Sequence, residues 1–310
     1  MQKHYAEREC WIARHLPAFT HEPGTVAFFE EPMGHGLNNL FVLQLKGVNY
    51  LGRKLLDETG ALGSLLSPRM LLGPLLKARH THHCLRLHYT ALSLEEKLRV
   101  FVQASCSHDA AIHFPFPVLD ECGNEQVAPL SFWDDTPRLA RQLDPQETHF
   151  RQHCLGLLSK RLAPGAVVYD PACSTGTFIA SLAAGLPHVQ CLGSDISAAM
   201  IDHARIQHVH PNLRFALTDA VTPAIAPGRC DVLVLRFLNA EVMRQHEAVH
   251  LFERLIPLVR YGGLVIVFGH TPVLIPMKAE ARRLGLNMTG ALARCPHTQA
   301  LFQLFTLERS

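Results

Sequence analysis

The stretch Val167-Val168-Tyr169-Asp170-Pro171-Ala172-Cys173-Ser174-Thr175-Gly176-Thr177-Phe178 decides how the rest of the chain is read. A β-branched run ends in the acid Asp170, small residues follow at Ala172, Ser174 and Gly176, and Phe178, Ile179 and Leu182 then recur at helical spacing. That order predicts a strand, a tight turn and a helix N-terminus. Small side chains in the turn leave the backbone open to a ligand. The first helical turn offers unpaired N–H groups and the positive end of a dipole.

Two stretches downstream repeat the pattern. Val189 to Asp195 reads as a second strand ending in an acid, followed by Ile196 and a helix that opens at Ser197 with Met200, Ile201 and Ala204 on one face. A carboxylate there suits a pair of ribose hydroxyls. A third strand, Leu213 to Leu217, leads to Asp219-Ala220, where an acid accepts from an exocyclic adenine amine. Asp170 alone would be read as a helix cap; three acids at successive strand ends are harder to dismiss. Together they resemble the nucleoside-binding half of class I S-adenosylmethionine (SAM)-dependent transferases. The resemblance implies SAM as substrate, no metal, and a site formed by Asp170, Ala172, Cys173, Ser174, Gly176, Asp195, Ile196, Met200, Asp219 and Ala220. A dinucleotide site is the weaker reading, because Gly-x-Gly-x-x-Gly is absent.

Composition sets the outer bounds. A chain of 310 residues with 48% hydrophobic content can build a substantial core in one large or two small domains. A formal net charge of +2 without a Lys/Arg run gives no electrostatic basis for binding nucleic acid. The first residues lack the apolar core of a signal peptide and no apolar run reaches membrane-spanning length, so a soluble, cytoplasmic protein is expected. Nine scattered cysteines with no Cys-x-x-Cys pair suggest reduced, mostly buried thiols. Cys173 lies in the ligand loop, where a packing role is favoured over reactivity. Of the 20 histidines, those in Arg79-His80-Thr81-His82-His83-Cys84 and His88 invite a metal reading. They lack the convergent fourth-ligand frame of a zinc site, which favours a solvated or interface stretch.

The N-terminal part reads differently from the rest. Leu37, Leu40, Phe41, Val48, Leu51, Leu55 and Leu56 give a helical stripe ending at Gly60, and Leu62 to Leu76 is broken by Gly and Pro into short turns. Ser93 with Glu96 predicts a capping box, opening a helix with Leu94, Leu98, Phe101 and Val102 on its apolar face. Ser107 to Leu143 is interrupted by prolines and reads as linker and lid, with Trp133 either anchoring the loop or covering the ligand. Asp144-Pro145-Gln146-Glu147 reads as N-cap, first-turn Pro and acid of a helix running to Leu162. The expected division is a mostly helical cap with lid over residues 1–144 and a SAM-binding domain over 145–310. The expected fold is an α/β Rossmann-like sheet of seven strands with the last antiparallel. Its fourth strand, Asp231 to Arg236, is followed by Phe237-Leu238-Asn239; its fifth, Leu264 to Phe268, ends at Gly269-His270. A tail over Met288 to Arg294 and Ala300 to Leu307 closes it as a hairpin.

After the fourth strand the chain has Arg236-Phe237-Leu238-Asn239 rather than the Asp/Asn-Pro-Pro-Tyr motif of amine-directed nucleic-acid methyltransferases. With the Asp170 loop, the Asp195-Ile196-Ser197 corner and the long N-terminal half, this segment resembles the isonocardicin-synthase-like group, including its bacterial azetidine-2-carboxylate synthases. The resemblance implies chemistry on the 3-amino-3-carboxypropyl arm of SAM rather than its methyl group. In the cyclising members the arm closes onto its own amine and methylthioadenosine leaves. The amine must be neutral to attack, and a free α-amino group titrates at about 7.7 to 8.0. Asn239 with Ser174 or backbone donors is expected to fix the arm, Trp133 or Phe237 to face the sulfonium, Arg236 to join the SAM site, and His149 or His270 to accept the proton. Arm transfer to an external phenol or amine, small-molecule methylation and non-catalytic SAM binding remain the alternatives.

Overall fold

The computed structural model describes residues 3–16, 21–81, 83–119, 124–129, 144–296 and 298–310. The chain divides into two compact units. The first takes residues 1–126, 271–274 and 290–303; the second takes 127–270, 275–289 and 304–310.

The first unit contains α1 (Lys3–His15), β1 (Val26–Pro32), β2 (Leu40–Leu45), β3 (Val48–Arg53), β4 (Leu71–His80), β5 (Cys84–Thr90), α2 (Leu94–Ser105) and β6 (Ala111–His113). Its strands form one antiparallel sheet in the order β1-β5-β4-β3-β2-β6. Helices are present here, but the expectation of a mostly helical region is corrected: the core is a sheet. Most of the stripe from Leu37 to Leu56 is the β2–β3 hairpin, in which Leu45 pairs with Val48 across Lys46-Gly47; Leu37 stands in a 3-10 turn before it and Leu55 and Leu56 follow it. Both turn residues have positive φ, 49° and 78°, the twist that a two-residue hairpin requires. Within β2 the buried Phe41, Leu43 and Leu45 alternate with the less buried Val42 and Gln44; apolar residues before and after this short run are what mimic a period of three to four.

Helix α2 begins as expected. Ser93 Oγ accepts from Glu96 N–H, and the Glu96 carboxylate accepts from Ser93 N–H. Its buried face is Val100, Phe101 and Ala104, whereas Leu94, Leu98 and Val102 are exposed, so the face read from the sequence is rotated. The tail returns to this unit as β13 (Ala293–Arg294) and β14 (Leu301–Phe302), with Leu301 bridging to Leu66.

The second unit contains α3 (Thr148–Leu158), β7 (Val167–Asp170), α4 (Thr177–Gly185), β8 (Gln190–Asp195), α5 (Ala198–Gln207), β9 (Leu213–Leu217), β10 (Cys230–Leu235), α6 (Gln245–Leu255), β11 (Val259–Val267), α7 (Met277–Arg283), β12 (Leu286–Gly290) and β15 (Phe305–Arg309). The strand order is β12-β15-β11-β10-β7-β8-β9. Strands β11, β10, β7, β8 and β9 run parallel and β15 runs antiparallel to β11, as in class I SAM-dependent transferases. Strands β7 and β10 are apolar and buried because helices cover both faces of such a sheet. The order reverses at β7, which has β10 on one side and β8 on the other. A ligand crevice therefore opens beyond the carboxyl ends of β7 and β8.

Candidate SAM site in the second unit

The turn after β7 combines two left-handed backbone positions, Ser174 at φ 53° and Gly176 at φ 79°. Gly176 meets two demands at once. Its φ favours glycine, and a Cβ there would lie 2.8 Å from the Ala204 side chain and 2.9 Å from the Phe215 ring. Close packing of the turn on α5 and β9 thus explains Gly176 without reference to a ligand. Cys173 is wholly buried, and burial, with Asp170 and Asp195 nearby, pushes its thiol well above the ordinary value; it packs rather than reacts.

Asp195 ends β8 and holds two backbone donors. Oδ2 accepts from Ser174 N–H at 2.9 Å and Oδ1 from Ser197 N–H at 2.9 Å. Each carboxylate oxygen has further acceptor capacity, so these bonds orient the group without exhausting it. Ser197 caps α5 by accepting from Met200 N–H, and Met200 is buried with its sulfur 3.8 Å from Ser174 Oγ. Ile196 is 62% exposed. An open apolar side chain beside a ribose-competent acid offers a surface for a planar base. After β9, Asp219 Oδ1 accepts from Val221 N–H at 2.8 Å in a tight turn, and Ala220 is buried next to it.

The centre of the site is a buried charge cluster around Arg236, which follows β10. Its Nη1 donates to Glu147 Oε2 at 2.6 Å, its Nε lies 3.4 Å from Asp170 Oδ2, and its guanidinium sits over the Phe178 ring at 5.3 Å. Asp170 is fully buried; Oδ1 accepts from Ala172 N–H at 3.3 Å and Oδ2 takes no hydrogen bond. The 3.4 Å approach of Arg236 is an ion pair and leaves Oδ2 able to accept. Burial raises the Asp170 carboxyl to about 7, with Asp195 and Glu147 adding to the rise, while Arg236 and the Ala172 N–H oppose it. A buried acceptor of this kind at a strand end is suited to a donor such as an ammonium group.

Two residues read as helix caps have other roles. Asp144 accepts from Thr177 Oγ1 at 2.7 Å and from Thr175 Oγ1 at 3.1 Å, so it braces the turn instead of capping α3. Glu147 stands at the start of α3 but makes no side-chain cap bond; it is the ion partner of Arg236. Cap-like spacing is a local signal, and the partners that claim these acids lie 31 and 89 residues further along the chain. His149, a candidate proton acceptor, is buried and pushed down to about 4 by burial first and then by His270, Arg151 and His153. It is a weak base near neutrality. Asn239 is buried, with its backbone carbonyl accepting from Met243 N–H, and Phe237 is half-buried. Trp133 lies outside the described residues. Among those residues no group of three or more His, Cys, Asp or Glu is arranged to hold a metal ion, and no helix is long and apolar enough to cross a membrane.

The parallel sheet with one antiparallel strand and acids at three successive strand ends define a SAM-dependent transferase of class I architecture. The family described as "Methyltransferase domain" matches residues 168–263. Isonocardicin synthase of Nocardia uniformis subsp. tsuyamanensis is 30% identical over 284 residues, covering 87% of this chain and 91% of that protein. The chain belongs to the isonocardicin synthase family. Trans-aconitate 2-methyltransferase of Methylobacterium radiotolerans is 35% identical over 98 residues, 32% of this chain and 35% of that protein. A solved SAM-dependent methyltransferase of Leishmania major superposes with a TM-score of 0.45 at 11% identity, covering 58% of this chain and 81% of its own.

Proposed function

We propose that the protein cyclises SAM to azetidine-2-carboxylic acid and releases methylthioadenosine. The 30% identity to isonocardicin synthase over 87% of the chain supports chemistry on the arm of SAM, shared by this reading and the next; what carries cyclisation is the chain's resemblance to the azetidine-2-carboxylate synthases of that group. It is supported by the segment after β10, where Arg236 is committed to Glu147 and Asp170 and no Pro-Pro-Tyr frame is offered to an acceptor amine. The reaction needs no second substrate: the α-nitrogen of the arm displaces sulfur from the γ-carbon of the same arm. The protein's task is to fold the arm, hold it dry and leave the nitrogen neutral. In this reading Asp195 binds the ribose hydroxyls, Ile196 and Asp219 with Ala220 bind the base, Ser174 and Asn239 help fix the arm, and Phe237 faces the sulfonium.

Transfer of the same arm to an external phenol or amine is the second reading. It is favoured by the relative itself, whose name assigns it the formation of isonocardicin. Purified protein given SAM alone should release methylthioadenosine and azetidine-2-carboxylate in equal amounts above the rate of spontaneous SAM decay. Methylthioadenosine formed only when a phenol or amine is added would establish arm transfer instead. S-adenosylhomocysteine formed only with an acceptor would establish methyl transfer.

A further inference from the structure

Tyr169 is a phenol at a place where packing alone asks for none. It sits on β7, one residue before Asp170, paired in register with Leu233 of β10 and Leu192 of β8, and its side chain is fully buried. Phe would fill the same space. The hydroxyl has two partners: Ala224 N–H, in the loop after β9, donates to it at 3.1 Å, and Ser194 Oγ, fully buried on β8, shares a hydrogen bond with it at 2.8 Å. Burial pushes the phenol above its ordinary value, and the bonds with Ser194 and Ala224 lower it by less, so it stays neutral and able both to donate and to accept. Each partner adjoins the candidate site. Ser194 precedes Asp195, and Ala224 follows Asp219 and Ala220 in one loop.

That loop has to be held from outside. Strand β9 closes one edge of its sheet, and its residues are half-buried or exposed. The turn over Asp219 is shaped by its own bonds, Thr222 N–H to the Asp219 carbonyl at 2.9 Å and Val221 N–H to Asp219 Oδ1 at 2.8 Å, which leave its place relative to the sheet open. Ties to other elements set that place: Thr218 N–H donates to the Asp195 carbonyl at 3.0 Å, Arg254 Nη2 of α6 donates to the Val221 carbonyl at 3.2 Å, and Ala224 N–H donates to Tyr169. The Arg254 bond is exposed and its side chain has many rotamers. Tyr169 is locked in the core, which makes it the firmer of these two side-chain anchors. We propose that Tyr169 is a positioning residue for base recognition: through Ala224 N–H it fixes the loop that presents Asp219 and Ala220, and through Ser194 it ties that loop to the end of β8, so that the contacts to base and ribose keep one spacing. This rests on the reading above in which Asp219 and Ala220 bind the base, with Asp219 accepting from the exocyclic amine of adenine. Tyr169 acts through the loop and not on the ligand. A contact of this kind is only as precise as the packing and hydrogen bonds behind it. A hydroxyl that served the fold alone would, once removed, weaken every ligand of the site alike; one that places the loop weakens most the bond to the amine.

Two ligands separate these cases: methylthioadenosine and methylthioinosine, in which a carbonyl oxygen replaces the exocyclic amine. Calorimetry of the parent should show methylthioadenosine preferred by about tenfold or more, the size of a hydrogen bond to a charged acceptor. Tyr169→Phe should reduce that preference to about threefold or less by weakening methylthioadenosine, with methylthioinosine held within about twofold. Ser194→Ala, which leaves the Ala224 bond in place, should change the preference in the same direction by less. Should Tyr169→Phe melt too low to assay, Tyr169→Phe combined with Ser194→Ala leaves neither hydroxyl orphaned and carries the same test. Asp219→Ala is the reference. If it abolishes the preference while Tyr169→Phe keeps it, or weakens both ligands equally, the positioning role is overturned and the reading of Asp219 stands. If Tyr169→Phe abolishes the preference while Asp219→Ala keeps it, the loop reads the base through other atoms and the positioning role stands without Asp219. A parent with no preference, or a preference kept by both variants, overturns both.

Discussion

At the scale of single residues, the molecule spends stability to keep Asp170 where it is. Its carboxyl titrates at about 7 in the fold against 3.8 when unperturbed, because burial disfavours the charged form. A raised folded value means that the group's contribution to stability is full below the unfolded value and is lost as pH rises through the folded one. Asn at this position keeps the shape and does not titrate. Without ligand, Asp170→Asn should therefore match the parent near pH 4 and gain on it up to about pH 7, then level off. The gain is on the order of 1 to 4 kcal/mol, reduced by the loss of one carboxylate from Arg236. Melting curves of both proteins across that range are the check, and a variant less stable than the parent at pH 8 would show that the ion pair with Arg236 outweighs the desolvation of Asp170. A carboxyl buried against its own solvation lowers stability in this way wherever its charged form persists.

At the scale of elements, the strands and helices of the second unit were legible because each carries a local signature: an apolar β-branched run, a terminal acid, a small-residue turn and a cap such as Ser197. The same logic misplaced Asp144 and Glu147, whose true partners, Thr177 and Arg236, no local window contains. It also failed for β2 and β3. Phe41, Leu43 and Leu45 are buried and alternate with the less buried Val42 and Gln44, but the neighbouring Leu37, Leu40, Leu51 and Leu55 add apolar residues at helical spacing that outweigh this short alternation. The missed signal was Lys46-Gly47, a pair whose positive φ values mark a hairpin turn. Asn suits the first of those positions better than Lys. Lys46→Asn should raise the denaturation midpoint by the equivalent of about 0.5 kcal/mol. A lowered midpoint would mean that the turn is held by something other than its own conformation.

At the scale of the whole molecule, the sequence suggests a clean cut near residue 144, while the chain passes between the two units several times. The tail leaves the second unit after β12, contributes β13 and β14 to the first, and returns as β15, which lies between β12 and β11 in the seven-stranded sheet. Within the first unit Leu301 exchanges backbone hydrogen bonds with Leu66, and both Leu301 and Phe302 are buried. A fragment of residues 145–310 would therefore carry a segment whose apolar partners, Leu66 among them, have been removed. It would also have to close β15 into the sheet through that segment. Exposed apolar side chains next to a strand that must pair late favour association over folding. The fragment should aggregate or melt without a cooperative transition. A second fragment, with 291–302 replaced by a short Gly-containing turn between β12 and β15, should stay soluble and melt cooperatively, since β12 and β15 are already neighbours in the sheet and the apolar segment is gone. Light scattering and thermal melting of the two fragments decide the matter. A soluble, cooperatively melting 145–310 that binds methylthioadenosine would show that the tail segment's packing in the first unit is dispensable to the transferase fold.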